Sequence, residues 1–401
     1  MTEDRIYTPD QLWMPDVIAD PYPAYRQFRE QSPLQYVLLP RGAVAGLDAP
    51  VMAWALMRHD DAIAALRDHE TFASGRDPLA GKAFPKMVLL QDDPPRHSRF
   101  RQLVNKAFTM RRIETLAPWI TETATRLLDA AGDGETDAMA SFAVPLPVKV
   151  IARLLGIPAE DEASFKRWSD SLLAISSVPP EERAKHNQEM MLYFGRMVAE
   201  RRARGAEDLI TTLVESEIDG ERLHDAEILG FCILLLVAGN ETTTNLIGNL
   251  LGILADRPEL WQRLRDDRSL VEPVITETLR FESPVHRLPR QVTRDVEIRG
   301  TRIAEGSRVS IFYGAANRDP AAFDQPDEFR PERDLRGHLA FGMGIHYCLG
   351  APLARAEAAI LLNALLDRHP TLARGDAPAI RQRSSLVVYG YEQLPLKLQA
   401  R

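Results

Sequence analysis

The stretch Phe341-Gly342-Met343-Gly344-Ile345-His346-Tyr347-Cys348-Leu349-Gly350 sets three glycines, a histidine and a cysteine within ten residues. Glycine reaches backbone angles that other residues resist, so this segment can fold tightly around one sulfur. An alanine-rich helix is expected directly after it, from about Leu349 to His369. That places Cys348 at a helix N-terminus, where free N–H groups and partial positive charge gather. Both favour thiolate over thiol. An isolated cysteine is more often a small buried hydrophobe; the glycines and histidine around Cys348 are what point to a ligand.

Upstream, Asp225–Asp256 reads as one long apolar helix stopped by Pro258. At 1.5 Å per residue it spans about 50 Å, enough to cross a whole domain. Ala238-Gly239-Asn240-Glu241-Thr242-Thr243-Thr244 interrupts the apolar run. Glycine and β-branched threonine lower helix propensity, and threonine hydroxyls bond back to the preceding turn and bend helices. A widened turn is expected there. Back-bonded threonines alone are common, but a carboxylate in the most apolar helix needs a partner. Glu241 beside Thr242 offers an acid and a hydroxyl, a pair able to order water and relay protons.

Further helices are expected over Pro258–Arg268 and Leu270–Phe281, and over most of Arg96–Ala131 and Glu160–Arg204 with a break near Pro179-Pro180. Shorter ones are expected over Ala24–Gln31 and Asp60–Asp68. Val51–Met57, Val292–Phe312 and Leu386–Tyr391 read as strands, with turns at Gly300 and Gly306. Residues 317–338 show no clear period, and Ser74–Pro95 is a long Gly- and Pro-punctuated loop of the kind that is often functional. Glu277 and Arg280 lie one helical turn apart. As an exposed pair they would contribute only ~0–1 kcal/mol.

The 401 residues carry 45% hydrophobic and 26% charged side chains, the balance of a globular protein. A net charge of −8 argues against a nucleic-acid partner. Two distant cysteines, Cys232 and Cys348, make no disulfide framework and suit a reducing compartment. The polar start Met1-Thr2-Glu3-Asp4-Arg5 lacks a signal-peptide pattern. The apolar stretch Ile228–Gly239 is too short to span a bilayer before Glu241 interrupts it. A cytoplasmic protein without a membrane anchor is expected.

The cysteine stretch resembles the heme-binding signature of the cytochromes P-450, Phe-Gly-x-Gly-x-His-x-Cys-x-Gly, with every fixed position present, and the resemblance runs from about Pro21 to Leu398. It implies a mainly α fold with small β-sheets, the triangular prism of that family, as a single domain over 1–401. Heme b (iron protoporphyrin IX) would lie between the long helix and the cysteine loop, with Cys348 as axial iron ligand. An axial thiolate pushes electron density onto the metal and favours O–O cleavage. Ala238–Thr242 is similar to the family's oxygen-activation motif, which implies catalytic roles for Glu241 and Thr242 in proton delivery. Glu277-Thr278-Leu279-Arg280 and Phe329-Arg330-Pro331-Glu332-Arg333 resemble the segments that form a structural triad, here Glu277, Arg280 and Arg333. His97, Arg101, Arg290 and His346 fall where the family binds the heme propionates, with Arg287 a competitor for Arg290. The substrate pocket implied comprises the Ser74–Gln91 loop, Leu234, Val237, Ala238, Val285, Leu288 and the Leu386–Val388 turn, with Val387 at its centre.

The resemblance implies a monooxygenase that uses O₂ to hydroxylate or epoxidise a small-to-medium, mainly apolar organic molecule. Lys82, Lys86 and Arg287 are candidates for an acidic substrate group or plain solvated cations. No Gly-rich flavin or nicotinamide fingerprint and no iron–sulfur cysteine cluster is present. Electrons are therefore expected from a ferredoxin with its NAD(P)H-dependent reductase. The basic run Arg96, Arg99, Arg101, Lys106, Arg111 and Arg112 is its expected docking face. The alternatives are a peroxide-driven peroxygenase and a non-catalytic heme sensor.

Overall fold

The computed structural model describes residues 6–32, 34–39, 50–75, 87–108, 110–173, 179–218 and 220–399. Helices α1 (Pro15–Ala19), α2 (Tyr22–Gln31) and α3 (His59–Arg67) accompany the N-terminal strands. A helical block follows: α4 (Arg96–Ala107), α5 (Met110–Ala131), α6 (Pro145–Leu155), α7 (Glu162–Leu173), α8 (Pro180–Ala203) and α9 (Leu209–Glu215). Then come α10 (Asp225–Ala255), α11 (Pro258–Asp266), α12 (Val271–Phe281), the single turn α13 (Tyr313–Ala316) and α14 (Ala351–Arg368).

The axis of the molecule is α10. Its first turn is closed by the carboxylate of Glu227, which accepts the main-chain N–H of His224 at 3.1 Å; Asp256 and Pro258 stop it at the other end. It is long and apolar enough to cross a bilayer, yet it lies in the main core and packs on α6, α7, α8, α12 and α14. Close crossings explain its glycines. A Cβ on Gly239 would sit 2.5 Å from Cδ1 of Ile151, so α6 can approach only a bare backbone. The helix stays α-helical from Asp225 to Ala255. The widened turn expected at residues 238–244 is therefore not a break in it.

Beside the helices stands a five-stranded sheet in the order Gln35–Leu39, Val51–Leu56, Arg308–Phe312, Arg287–Val292, Phe72–Ala73. The strand expected to begin at Val292 begins at Arg287 instead. Its two arginines and Pro289 conceal it in the sequence. Both arginines are buried, and they face opposite sides of the sheet, as their three-residue spacing requires.

Residues 386–390 of the expected strand Leu386–Tyr391 are irregular, with only Val388 in an isolated bridge to Val285, and Tyr391 alone begins a strand. The side-chain amide of Gln382 donates to the carbonyls of Ser385 and Val388, and its oxygen accepts from the amides of Ser384 and Ser385. Those backbone groups are thus satisfied without a ladder. The strands lie further on, at Tyr391–Gln393 and Pro395–Leu398.

Behind that segment His286 is almost fully buried. Its Nδ1 lies 3.2 Å from Tyr25 Oη and its Nε2 3.4 Å from Tyr22 Oη. Its ring stacks on Tyr389 with centroids 4.6 Å apart.

Candidate active site

Hydrogen bonds close the cysteine loop. The amide of Cys348 donates to Phe341 O at 2.9 Å, Gly342 N to Leu339 O at 2.9 Å, and Tyr347 N to Gly344 O at 3.1 Å. Gly344 has φ +70°, and a Cβ there would lie 2.5 Å from the carbonyl oxygen of Leu66 at the end of α3. Both facts demand glycine. Helix α14 begins at Ala351, three residues after the cysteine rather than at it. Burial pushes the Cys348 thiol up, while the amides of Gly350 and Ala351 and the Arg101 guanidinium act against that shift. The helix N-terminus thus still faces the sulfur, through its first free N–H groups.

One strip of α10 remains open where its neighbours are sealed. Leu234, Val237, Glu241 and Thr242 are half-buried and Ala238 is exposed, whereas Leu235, Leu236, Asn240 and Thr243 are buried. The spacing of residues 234, 238, 241 and 242 is that of a single helical face. Thr242 Oγ1 donates to Ala238 O at 2.6 Å.

Cations and histidines gather by the loop. The rings of His97 and His346 are 4.5 Å apart, and His346 Nε2 lies 3.1 Å from Ser74 Oγ. His346 is pushed down to about 3 by burial first, then by Arg290, His97 and Arg101. His97 is likewise lowered, by burial and then by Arg101. Both rings are therefore neutral. Arg290 is buried on this side, close to His346 and to the hydroxyl of Tyr313. Arg287 stands on the other face, its guanidinium 5.0 Å from the Trp13 ring centroid and its Nη1 3.3 Å from Ser310 Oγ. It therefore competes neither for Arg290's place nor for a substrate acid.

His97 is 2% exposed, yet neither ring nitrogen has a hydrogen-bond partner among the described residues. Such a group calls for an explanation. Two guanidiniums and two histidines gathered beside a single thiol fit an iron porphyrin and its two carboxylates.

Glu277, Arg280 and Arg333 meet in the interior. Arg280 Nε and Nη2 donate to the two oxygens of Glu277 at 2.8 and 2.7 Å, and Arg333 Nε donates to Oε1 at 3.0 Å. The two partners of the i,i+3 pair are fully buried. Sequence reasoning missed Arg355, whose guanidinium lies 5.3 Å from the Phe341 ring centroid and bonds Thr276 Oγ1 at 2.6 Å. It also missed Asn317, which ties this interior to the loop. An arginine in an alanine-rich helix and an asparagine after a short helical turn carry no local signal.

The other assigned positions divide. Val285 and Leu288 are half-buried, and the residue across the bridge from Val285 is Val388. Val387 instead accepts the His286 amide at 2.8 Å. Residues 76–86, with Lys82 and Lys86, lie outside the described residues, as do the side chains of Lys106 and Arg112. Of the basic run, Arg96 pairs with Glu227 and Asp92, and Arg99 with Glu221. Arg101 turns inward toward Cys348, and Arg111 is exposed.

A family model described as cytochrome P450 matches residues 181–393. The chain is 39% identical to the cytochrome P450 monooxygenase PikC of Streptomyces venezuelae, over 95% of this chain and 92% of that one. The structure of cytochrome P450 CYP109Q5 from Chondromyces apiculatus superposes with a TM-score of 0.87 at 38% identity, covering 97% of this chain and 98% of that one. That of CYP109E1 from Bacillus megaterium, in complex with corticosterone, gives 0.84 at 34% identity, covering 96% and 100%. The chain belongs to the cytochrome P450 family. It is accordingly a heme monooxygenase, acting on a small molecule with O₂ and electrons from a redox partner.

Proposed function

We propose that Cys348 would ligate the iron of a heme b whose propionates His97, Arg101, Arg290 and His346 would hold. The observation that carries this reading is the buried His97 ring, whose nitrogens have no hydrogen-bond partner among the described residues, set 4.5 Å from His346 beside the cysteine loop. Bound there, the group supplies the iron at which O₂ is activated, and an oxygen atom enters a C–H or C=C bond. The chain's own residues do the rest. The α14 amides and Arg101 stabilise charge on the sulfur. His97 and His346 would donate hydrogen bonds to carboxylates. Thr242 and Glu241, on the open strip of α10, hold and pass protons toward the site. The whole chain serves as one catalytic domain.

The substrate is an apolar molecule of about steroid size. The aliphatic strip of Leu234, Val237 and Ala238 and the half-buried Val285 and Leu288 support this, as does a relative that binds corticosterone. A ferredoxin and its NAD(P)H-dependent reductase supply electrons in the cytoplasm. With Arg96 and Arg99 internally paired, the docking charge reduces to Arg111 and its surroundings.

The test is spectral. Corticosterone and a panel of apolar compounds should give a type I spectral shift, and turnover should follow with ferredoxin and reductase. Turnover with hydrogen peroxide alone, and none with the electron donors, would replace this reading with a peroxygenase. Arg111→Glu should weaken ferredoxin affinity and its salt dependence; unchanged values would place the docking face elsewhere.

A further inference from the structure

We propose that Ser169 of α7 is a positioning residue for the polar turn of α10, loosening the helical ladder there so that Thr242 can serve the site. The inference rests, in its functional half, on Glu241 and Thr242 acting as the proton relay.

Ser169 Oγ donates to the main-chain carbonyl of Leu236 at 3.2 Å and accepts from Asn240 Nδ2 at 3.3 Å. In an α-helix the Leu236 carbonyl is also the acceptor for the Asn240 amide. Two residues on, the Ala238 carbonyl carries the Thr242 hydroxyl at 2.6 Å besides the Thr242 amide. The turn that presents Ala238, Glu241 and Thr242 therefore has two carbonyls, each loaded with an extra side-chain donor. A carbonyl has two lone pairs and can accept both. The second donor, though, draws it off the helix axis and weakens the ladder bond.

Both partners are dry: Ser169 and Asn240 are each 3% exposed. Water cannot readily replace the bond, so its loss would leave buried polar atoms unpaired. Asn240 Oδ1 has no partner among the described residues, which leaves Ser169 as the contact that orients that side chain. On another side of the same turn Gly239 is pressed against Ile151 of α6. Steric contact from α6 and hydrogen bonds from α7 thus seat one turn between them. The position of α7 then decides how far the Leu236–Asn240 bond opens, and with it how freely the Thr242 hydroxyl leaves the Ala238 carbonyl.

The experiment uses the heme-loaded enzyme and two variants, Ser169→Ala and Ser169→Thr. The first readout is amide hydrogen exchange over residues 236–244, which needs no turnover. Ser169→Ala removes the competing donor and should slow exchange there about two- to fivefold. Ser169→Thr keeps the hydroxyl and should restore the native rate. The second readout is the fraction of reducing equivalents released as hydrogen peroxide in the presence of a substrate such as corticosterone. It should rise at least about twofold in Ser169→Ala, on the same principle, and return with Ser169→Thr. Unchanged or faster exchange in Ser169→Ala overturns the loosening. Slowed exchange with an unchanged peroxide fraction overturns the link to Thr242. If Thr242→Ala itself releases no extra peroxide, the relay reading fails instead, and the exchange result alone decides the structural half.

Discussion

The guanidinium of Arg280 donates through Nη1 to the main-chain carbonyl of Asn317 at 3.0 Å. The Asn317 side chain in turn accepts the Leu339 amide at 2.6 Å and donates to Ser283 Oγ at 2.8 Å. Leu339 O receives Gly342 N, inside the cysteine loop. A continuous hydrogen-bonded path therefore joins the Glu277–Arg280 pair to the segment that carries Cys348. Arg280 has five N–H donors. It uses them on both Glu277 oxygens and on the carbonyls of Asn317, Pro326 and Glu328.

Arg280→Lys keeps the charge but has only three donors at a single point. Breaking a buried pair of this kind costs about 3–5 kcal/mol. We expect an unfolding free energy lower by up to about that amount, read as a lower denaturant midpoint, and loss of heme on gel filtration, read from the Soret absorbance. A native midpoint in this variant would show that the pair does not support the loop.

Cys348→Ser replaces a soft sulfur by a hydroxyl that ligates iron poorly. The thiolate band of the reduced carbon-monoxide complex should vanish, while His97, Arg101, Arg290 and His346 still hold some porphyrin. Persistence of that band would assign the ligand to another residue.

Thr242→Ala removes the hydroxyl bonded to Ala238 O. O₂ then leaves with two electrons and two protons as hydrogen peroxide, in place of the oxygenated product and water. Peroxide per NAD(P)H should rise roughly several-fold, because productive protonation loses a positioned donor, with heme content unaltered. Product and cofactor consumed in native proportion would remove Thr242 from the relay.

His286 is pushed down to about 3, by burial first and then by Arg318 and Arg381. It stays neutral in the folded chain, whereas the unfolded chain protonates it below its ordinary value of 6.5. Its contribution to stability is thus complete above 6.5 and is lost as pH falls toward 3, by at most about 1.4 kcal/mol per pH unit. Tyr22, Tyr25 and Tyr389, which also face the ring, stay protonated throughout this range. His286→Gln should flatten the plot of unfolding free energy against pH between those limits. Parallel plots for the native protein and the variant would mean that another group carries the dependence.

Much of this was legible along the chain, because the chemistry lies in contiguous stretches. Phe341–Gly350 and Ala238–Thr242 each hold glycine and reactive side chains side by side, and α10 announces itself by length and by Pro258. The hidden parts are long-range. The strand at Arg287 was masked by charged residues that the fold buries. The supposed strand at Leu386–Tyr391 was displaced by a side chain, Gln382, that satisfies the backbone itself. Arg96 and Arg99 look like an open basic face because two of their three acids, Glu227 and Glu221, come from far along the chain; only Asp92 is local. The roles of Ser169 and Asn317 depend on one partner each in a distant element, and no local pattern records that.

The bare backbone of Gly239 against Ile151 has a consequence for anyone altering this enzyme. The two positions share one small volume, so neither can be redesigned alone. Gly239→Ala would drive α6 and α10 apart and displace the threonines one turn later, whereas trimming Ile151 to alanine at the same time returns the room. Libraries aimed at new substrates should vary the two together or leave both untouched.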